Sequence, residues 1–364
     1  MRIALCQIPV SSEISVNLTR VRDALKEAAA GGAELAVLPE ATMVRFGSNL
    51  AAAAEPLDGP FCSAVAEASA AAGVASVTGV FEPAPDGRVY NTAVAYDAAG
   101  ALVAAYRKLH LFDALGQRES DLVAPGSAPV IADLAGAPVG VQICYDIRFP
   151  ELTRALAIGG ARLVTVSAAW QAGLFKEEHW VTLLRARAIE NTVWIAAAGQ
   201  VPDPDAKPVR APTGVGRSML VDPLGVVRCD LGPSAGVAVV EADLTVVDPV
   251  RETLPSLANR RDDIFNPKIF LSRTKESRLS SARLQSRGFR ADQPPAPLVA
   301  PVMITTTMPA TTAATIGRTS SISQFVEPIT ASSESQARRA ADGRGSAARA
   351  ARSRSRRMVS ASRS

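Results

Sequence analysis

Residues 141–151 read VQICYDIRFPE, and they decide the interpretation of this chain because an apolar strand runs there directly into a cysteine. The preceding PVGVQI is short, rich in β-branched residues and bounded by Gly136, as a buried strand is. The FPE that follows puts a proline and an acid where a helix starts. The pattern predicts that Cys144 lies at the carboxyl end of a strand, close to the start of a helix.

A cysteine in that position is a candidate nucleophile. Positive charge or the dipole of a helix N-terminus lowers the pKa of a thiol, and the thiolate is the reactive form. Such neighbours can therefore lower the pKa of Cys144 and make it reactive towards an electrophilic carbon. The alternative is a small buried apolar residue, which is the commoner role of a cysteine in a strand.

Two further apolar runs end in a charged residue. Residues 35–40 read LAVLPE and end at Glu40, and residues 101–108 read ALVAAYRK and end at Lys108. Apolar runs that pair side by side in a sheet bring their ends to one pocket. The alternative for each charge taken singly is a solvated residue at a strand end.

A carboxylate, an ammonium and a thiol form a workable set for acyl transfer. The thiolate attacks a carbonyl carbon, and the carboxylate takes the thiol proton and later gives it to the leaving amine. A fixed cation stabilises the negative oxygen that develops on the carbonyl. The three residue types therefore favour hydrolysis through a thioester.

Six blocks of the sequence resemble the nitrilase superfamily of carbon-nitrogen hydrolases, in that family's order, over roughly residues 1–266. They read MRIALCQ (1–7), LPEA (38–41), YRKLHLFD (106–113), CYDIRFPE (144–151), RARAIEN (185–191) and GRSMLVDP (216–223). The CYDxRFPE block is similar to the Nit-type amidases, omega-amidase and deaminated glutathione amidase. True nitrilases usually follow the cysteine with Trp-Glu.

The resemblance implies a catalytic triad of Glu40, Lys108 and Cys144. It also implies that Glu119, in the loop after Lys108, orients the lysine, since a carboxylate there would keep a buried ammonium charged. The alternative for Glu119 is a surface charge on a loop.

Three residues are candidate substrate contacts. Tyr145 directly follows the nucleophile. Arg148 could receive a substrate carboxylate in a bidentate contact, or else form an ion pair with Asp146 or at a dimer interface. Trp170 could form a wall of the acyl pocket or belong to the core, and its indole N–H needs a partner if it is buried.

The segment 202–208 reads PDPDAKP and is either a lid or an ordinary loop.

We therefore predict a hydrolase that cleaves a small carboxylate-bearing amide and releases ammonia. The alternatives are an N-carbamoyl amino acid hydrolase, a nitrilase, or a catalytically silent binding module of the same fold. The presence of all four of Glu40, Lys108, Glu119 and Cys144 argues against the silent module.

Cysteine and histidine usage favours an enzyme of a reducing compartment that needs no cofactor. The four cysteines (Cys6, Cys62, Cys144 and Cys229) have no disulfide or zinc spacing, and the two histidines are not in a metal-binding motif. The N-terminus has no leader pattern, and no apolar run reaches the ~18 residues of a membrane span. We expect a cytoplasmic protein without a metal.

Charge divides the chain into two parts. Residues 1–270 hold 23 Lys and Arg against 30 Asp and Glu, a net charge of −7, whereas residues 271–364 hold 16 against 5, a net charge of +11. The second part is rich in Ser, Ala, Arg, Thr and Pro and lacks hydrophobic periodicity, which predicts disorder. We predict a hydrolase domain over 1–268 and a basic tail over 271–364 that binds nucleic acid weakly, if at all.

Apolar periodicity alternates between strands and helices, which predicts an α/β protein. Helices are predicted at 15–30, 60–72, 149–158, 177–190 and 243–252, with a long loop over 109–127. The family resemblance implies a four-layer α-β-β-α sandwich. It also implies a homodimer, or a higher oligomer, that pairs through residues 148–158 and 177–190.

Overall fold

The computed structural model describes residues 1–205 and 210–265, and within these ranges the chain forms twelve strands and seven α-helices. The strands are β1 (Arg2–Gln7), β2 (Leu35–Val37), β3 (Ala75–Pro83), β4 (Val89–Tyr96), β5 (Leu102–Arg107), β6 (Val130–Leu134), β7 (Ala137–Ile143), β8 (Leu163–Ala168), β9 (Trp194–Gly199), β10 (Met219–Val221), β11 (Val227–Asp230) and β12 (Gly236–Glu241). The helices are α1 (Ile14–Ala30), α2 (Leu50–Ala53), α3 (Pro60–Ala72), α4 (Pro150–Ile158), α5 (Lys176–Asn191), α6 (Val247–Thr253) and α7 (Asp262–Phe265).

Two predictions fall on residues outside these ranges. The basic tail and the domain boundary lie beyond residue 265, and the 202–208 segment is described only as far as residue 205. No helix within the described ranges is both long enough and apolar enough to cross a membrane.

The strands form two six-stranded mixed sheets. The first has the order β12-β1-β2-β3-β4-β5 and the second has the order β11-β10-β9-β8-β7-β6. In each sheet three neighbouring strands are parallel, β1-β2-β3 in one and β7-β8-β9 in the other, and the remaining pairs are antiparallel. β12, the last strand in sequence among the described residues, pairs with β1.

Helices cover the outer face of each sheet. α1 and α3 pack on the first sheet and on each other, α4 and α5 pack on the second, and the inner faces of the sheets contact each other. In α1 an apolar face packs on the sheet, because its buried residues recur at helical spacing: Val21, Ala24, Leu25 and Ala28. The predicted four-layer α-β-β-α sandwich is confirmed.

α3 begins and ends where its sequence directs. Pro60 occupies the first helical position, where a missing N–H costs nothing, and Gly73 ends the helix in a left-handed conformation with φ 64°. The predicted helix over 60–72 is therefore confirmed at both ends.

The predicted helix over 243–252 is wrong at its start. A 3-10 turn (Leu244–Val246) comes first, and α6 follows it. The side chain of Asp243 accepts a hydrogen bond from the backbone N–H of Thr245, which fixes the turn. Pro249 then falls in the first turn of α6, the only part of a helix that tolerates proline well.

Buried side chains join the two sheets by hydrogen bonds. The Ser167 hydroxyl, on β8, donates to the Leu38 carbonyl at 2.8 Å, and the Gln200 amide donates to the Glu40 carbonyl. The side-chain oxygen of Gln7, on β1, accepts from the backbone N–H of Ser218, directly before β10, at 2.7 Å. Because these polar groups are buried and partnered, they fix how the sheets lie on each other.

Candidate active site

The candidate catalytic residues follow the carboxyl ends of strands in both sheets. Glu40 comes after β2 and Lys108 after β5, both in the first sheet, whereas Cys144 comes directly after β7 in the second. The expectation that the three runs pair side by side is therefore wrong. β3 and β4 separate β2 from β5, and the thiol comes from the facing sheet. The ends converge because the two sheets pack face to face.

Glu40 is buried at the centre of this convergence. Its Oε1 accepts hydrogen bonds from the Lys108 ammonium and the Asn91 amide, each at 2.8 Å, and its Oε2 accepts from the backbone N–H of Ala169 at 2.8 Å. The turn that carries Glu40 packs closely on β3 at Gly79. A Cβ on Gly79 would lie 2.5 Å from the Ala41 nitrogen, so only glycine allows this approach.

Lys108 lies between two carboxylates. Its Nζ is 2.8 Å from Glu40 Oε1 and 2.8 Å and 3.0 Å from the two oxygens of Glu119. Burial disfavours the ammonium, but the charges of Glu119 and Glu40 outweigh it and hold the pKa of Lys108 well above its usual value. Lys108 is therefore a fixed cation at neutral pH.

Asn91 belongs to the same cluster, and the sequence analysis missed it. Its Nδ2 donates to Glu40 at 2.8 Å and to Glu119 at 3.0 Å, so it joins the two carboxylates that flank Lys108. It lies near the start of β4, which runs antiparallel to β3 and so begins at the edge where β2 and β5 end. An asparagine inside an apolar strand is uncommon, and that was the available signal.

Cys144 has an unusual backbone conformation, with φ 45° in the left-handed region. It opens a 3-10 turn (Cys144–Arg148) ahead of α4, so the helix-like segment after the cysteine has two parts. A non-glycine residue holds that φ only where its surroundings impose it.

Asp146 supplies that constraint. This fully buried carboxylate accepts hydrogen bonds from the Tyr106 hydroxyl at 2.8 Å, the Ile143 backbone at 3.0 Å, and both the backbone and the ring Nδ1 of His110 at 3.0 and 2.8 Å. Its contacts tie the turn of Cys144 to β5 and to the loop that follows it.

The pKa of the Cys144 thiol is raised, although a position between a strand end and a helix start can lower it. Burial first, and then the negative charge of Glu40, raise the pKa of Cys144 well above its usual value, and the Lys108 ammonium offsets this only in part. The thiol also hydrogen-bonds with the Glu40 carboxylate. Cys144 is therefore a protonated thiol at rest, already in contact with a group that can take its proton.

Labelling with a small haloacetamide should report this protonation state. We expect the labelling rate of Cys144 to rise with pH well beyond the usual range of a thiol, because a raised pKa keeps the thiolate scarce until high pH. In Glu40→Gln the profile should move to lower pH, since one cause of the raised pKa is gone.

Mass spectrometry of the labelled peptides over a pH series measures both profiles. Cys229, which is only half-buried, serves as the internal control, and its profile should be the same in both proteins. A plateau for Cys144 at neutral pH in the unmodified chain would contradict the raised pKa.

A cavity of about 200 Å³ opens onto the cluster. Its floor includes Glu40, Lys108, Glu119 and Cys144. Aromatic, apolar and polar side chains form its walls: Phe46, Leu50, Phe112, Leu122, Tyr145, Trp170, Gln171 and Lys176. A small, mostly apolar pocket with a few convergent polar groups is typical of a site for a small molecule.

The structure brings two of the three candidate substrate contacts to this cavity. Tyr145 lines it and packs edge-on against Phe112, with ring centroids 5.0 Å apart. Trp170 lines it too, and its indole N–H donates to the Lys176 carbonyl at 2.7 Å. Trp170 is therefore both a core residue and a wall.

Arg148 does not line the cavity. Its guanidinium lies 4.9 Å from the Trp170 ring centroid, and its Nη2 lies 3.4 Å from the His179 ring nitrogen. It forms no ion pair with Asp146, whose oxygens accept from Tyr106, His110 and Ile143. Lys176, which the sequence analysis did not select, is the second lysine of the cavity wall.

The described residues contain no cluster of three or more His, Cys, Asp or Glu side chains that could hold a metal ion.

The sequence model of the carbon-nitrogen hydrolase family matches residues 2–252, so the chain belongs to that family and is a carbon-nitrogen hydrolase. It is 43% identical over 272 residues to a hydrolase of Mycobacterium tuberculosis (72% of this chain, 96% of that protein). It is 35% identical over 266 residues to the deaminated glutathione amidase of Escherichia coli O157:H7 (72% and 97%). It is 32% identical over 271 residues to an omega-amidase of Danio rerio (73% and 96%).

Solved structures of the nitrilase superfamily share the fold. Yeast Nit3 (Saccharomyces cerevisiae), a member of branch 10 of that superfamily, matches with a TM-score of 0.63 and 26% identity, over 72% of this chain and 96% of that chain. A mutant of the amidase from Nesterenkonia sp. AN1 matches with a TM-score of 0.62 and 27% identity, over 72% and 95%. That mutant carries the acetamide moiety of fluoroacetamide, covalently added at its active-site cysteine.

Proposed function

We propose that this hydrolase cleaves the C–N bond of a small carboxylate-bearing amide through a thioester on Cys144, and that Glu40, Lys108 and Cys144 are its catalytic triad. The observation that carries the proposal is the buried cluster on the cavity floor, where the Cys144 thiol contacts the Glu40 carboxylate and Lys108 is held charged beside both. Nucleophile, base and cation are thus within reach of one bound carbonyl group.

The acylation step uses Glu40 as the base. Its carboxylate takes the thiol proton as the sulfur attacks the amide carbon, and the carbonyl oxygen becomes negative. The Lys108 ammonium stabilises that oxygen. Glu40 then gives the proton to the amide nitrogen, the C–N bond breaks, and ammonia leaves behind a thioester on Cys144.

Deacylation repeats the sequence with water. Glu40 takes a proton from a water molecule, the hydroxide attacks the thioester carbon, and Lys108 again stabilises the oxygen. The C–S bond breaks, the sulfur regains the proton from Glu40, and the carboxylic acid leaves. Every proton that Glu40 accepts is returned within the cycle, so the enzyme ends in its resting state.

Glu119 and Asn91 act through Lys108 and Glu40. Glu119 accepts both a Lys108 hydrogen bond and the Phe112 backbone N–H at 2.6 Å, which fixes the loop that closes this side of the cavity. Asn91 bridges the two carboxylates. Both are positioning residues in this proposal, because they hold the ammonium and the base in place.

Two relatives support the carboxylate-bearing substrate, since their names are deaminated glutathione amidase and omega-amidase. An ammonia-release assay over α-ketoglutaramate, deaminated glutathione, simple nitriles and N-carbamoyl amino acids tests the proposal. We expect turnover of at least one carboxylate-bearing amide, with a kcat/KM at least about tenfold above that for the nitriles and carbamoyl compounds.

The control for this assay is the Cys144→Ala protein, which should release no ammonia from any compound. Turnover of nitriles or carbamoyl compounds alone, by a folded sample, would replace the proposed substrate class by one of these two alternatives.

A homodimer through α4 and α5 also remains a proposal, supported by the exposed apolar side chains Ile158 and Ile189 on those helices.

A further inference from the structure

We propose that Lys176 forms the subsite that binds the carboxylate of the substrate, in the same cavity as the nucleophile. The inference rests on the proposed amidase function and specifies which residue selects its substrate. It assigns to Lys176 the role that the sequence analysis gave to Arg148.

Lys176 is the first residue of α5 and is held in a fixed position. The residue is only 4% exposed, and its backbone carbonyl accepts the indole N–H of Trp170. Its Nζ lies 4.4 Å from the ring centroid of Trp170 and 5.2 Å from that of Phe112. Both rings line the cavity, so the ammonium lies on an aromatic wall.

Lys176 differs from Lys108 in its partners. Lys108 has two carboxylates within 3.0 Å, whereas no carboxylate among the described residues pairs with Lys176. Burial first, and then the positive charge of the Arg148 guanidinium, lower the pKa of Lys176. Aromatic faces replace only part of the hydration that a buried ammonium loses.

The carboxylates nearby cannot supply the missing negative charge. Glu40 and Glu119 are both bound to Lys108, and together these three groups carry a net charge of −1. That charge repels an anionic substrate from the cavity floor. A substrate carboxylate is therefore drawn to Lys176, where it supplies the counter-charge that the free protein does not provide.

The other cations near the cavity fit this role less well. Arg118 also lines the cavity, but its side chain is 74% exposed and pairs with Asp121, so solvent screens its charge. Arg148 does not line the cavity and contacts His179 and the Trp170 ring. Lys176 is the cation that lines the cavity, is buried and has no carboxylate partner within the described part of the chain.

Three amides of equal length and different charge test the subsite: succinamate, butyramide and γ-aminobutyramide. We expect the unmodified chain to prefer succinamate to butyramide by about 10²-fold in kcat/KM and to turn over the cationic amide most slowly. Lys176→Met should lower kcat/KM for succinamate by about 10²-fold, mainly through KM, and change that for butyramide by less than about threefold.

Matched variants separate this role from a structural one. Lys26→Met removes an exposed lysine of α1, whose side chain is 77% exposed, and should leave all three values unchanged. Lys176→Arg should restore part of the preference for succinamate. Retained butyramide turnover by Lys176→Met shows that the variant has folded. If Arg148→Met, and not Lys176→Met, abolishes the preference, the inference is overturned.

A binding measurement makes the result independent of turnover. Calorimetric titration with succinate should give a Kd at least about tenfold weaker in Lys176→Met than in the unmodified chain or Lys26→Met. Lys176-dependent succinate binding without hydrolysis of any amide would support the subsite and reject the amidase function. Amide turnover with equal succinate affinity in all proteins would reject the subsite and keep the function.

Discussion

Cys144→Ala is expected to lower kcat on the best amide substrate by about 10⁵-fold or more, because no other group in the cluster can form the thioester. The remaining carboxylates and Lys108 could only polarise a bound carbonyl and activate water. The fold should survive, since the change removes one small atom group and alanine faces the same backbone conformation as cysteine at φ 45°. We expect the free energy of unfolding to change by less than about 1 kcal/mol.

Steady-state kinetics and denaturant unfolding on the same preparations measure both effects. Cys229→Ala is the matched control, because it removes a thiol that lies outside the cavity, and it should keep full activity. Mass spectrometry during turnover should find an acyl group on Cys144 in the unmodified chain and on no cysteine in the variant. Turnover of Cys144→Ala at the rate of the unmodified chain would end the covalent mechanism.

Lys108→Met should reduce kcat by at least about 10³-fold and also destabilise the fold by about 3 to 5 kcal/mol. Loss of one oxyanion donor alone costs about 10²- to 10³-fold. A second effect adds to it: without the ammonium, Glu40 and Glu119 are two carboxylates that share only the Asn91 amide as a donor, and their repulsion disfavours ionisation of both. A proton shared between them blocks the base that the Cys144 thiol needs.

The second effect has a test of its own. Glu119→Gln combined with Lys108→Met removes the repulsion between the two carboxylates but does not replace the missing ammonium. The double variant should therefore recover most of the lost stability and little of the lost kcat. Lys26→Met is again the control, and thermal unfolding with single-turnover kinetics gives the two readouts. If Lys108→Met is as stable as the control, Lys108 is not holding the two carboxylates together.

The sequence predicted the elements of the fold because their signals are local. The helix over 60–72 has a proline at its first position and a glycine after its last, and the strand before Cys144 is a short β-branched run. What the sequence could not specify was how distant strands meet. The runs that end at Glu40 and Cys144 look alike, and nothing local indicates that they belong to facing sheets.

The same limit applies to the site. Glu40, Lys108 and Cys144 were selected because each ends a strand and each matches a family block. Asn91 and Lys176 were missed because their roles depend on neighbours far away in sequence: Asn91 lies 51 residues from Glu40, its hydrogen-bond partner. The direction of the Cys144 pKa shift also depends on the fold, since burial and the Glu40 carboxylate from the other sheet outweigh the Lys108 ammonium.

Because the site is divided between two sheets, the reaction rate depends on the relative position of those sheets. Glu40 is carried by one sheet and Cys144 by the other, and Ser167 and Gln200 hold those sheets together near the site. A displacement of about 1 Å between reacting groups can cost about 10²-fold in rate. Under pressure, mild denaturant or heat, the sheets therefore need only slide for catalysis to stop, and a sample can become inactive while its spectrum still reports a folded protein.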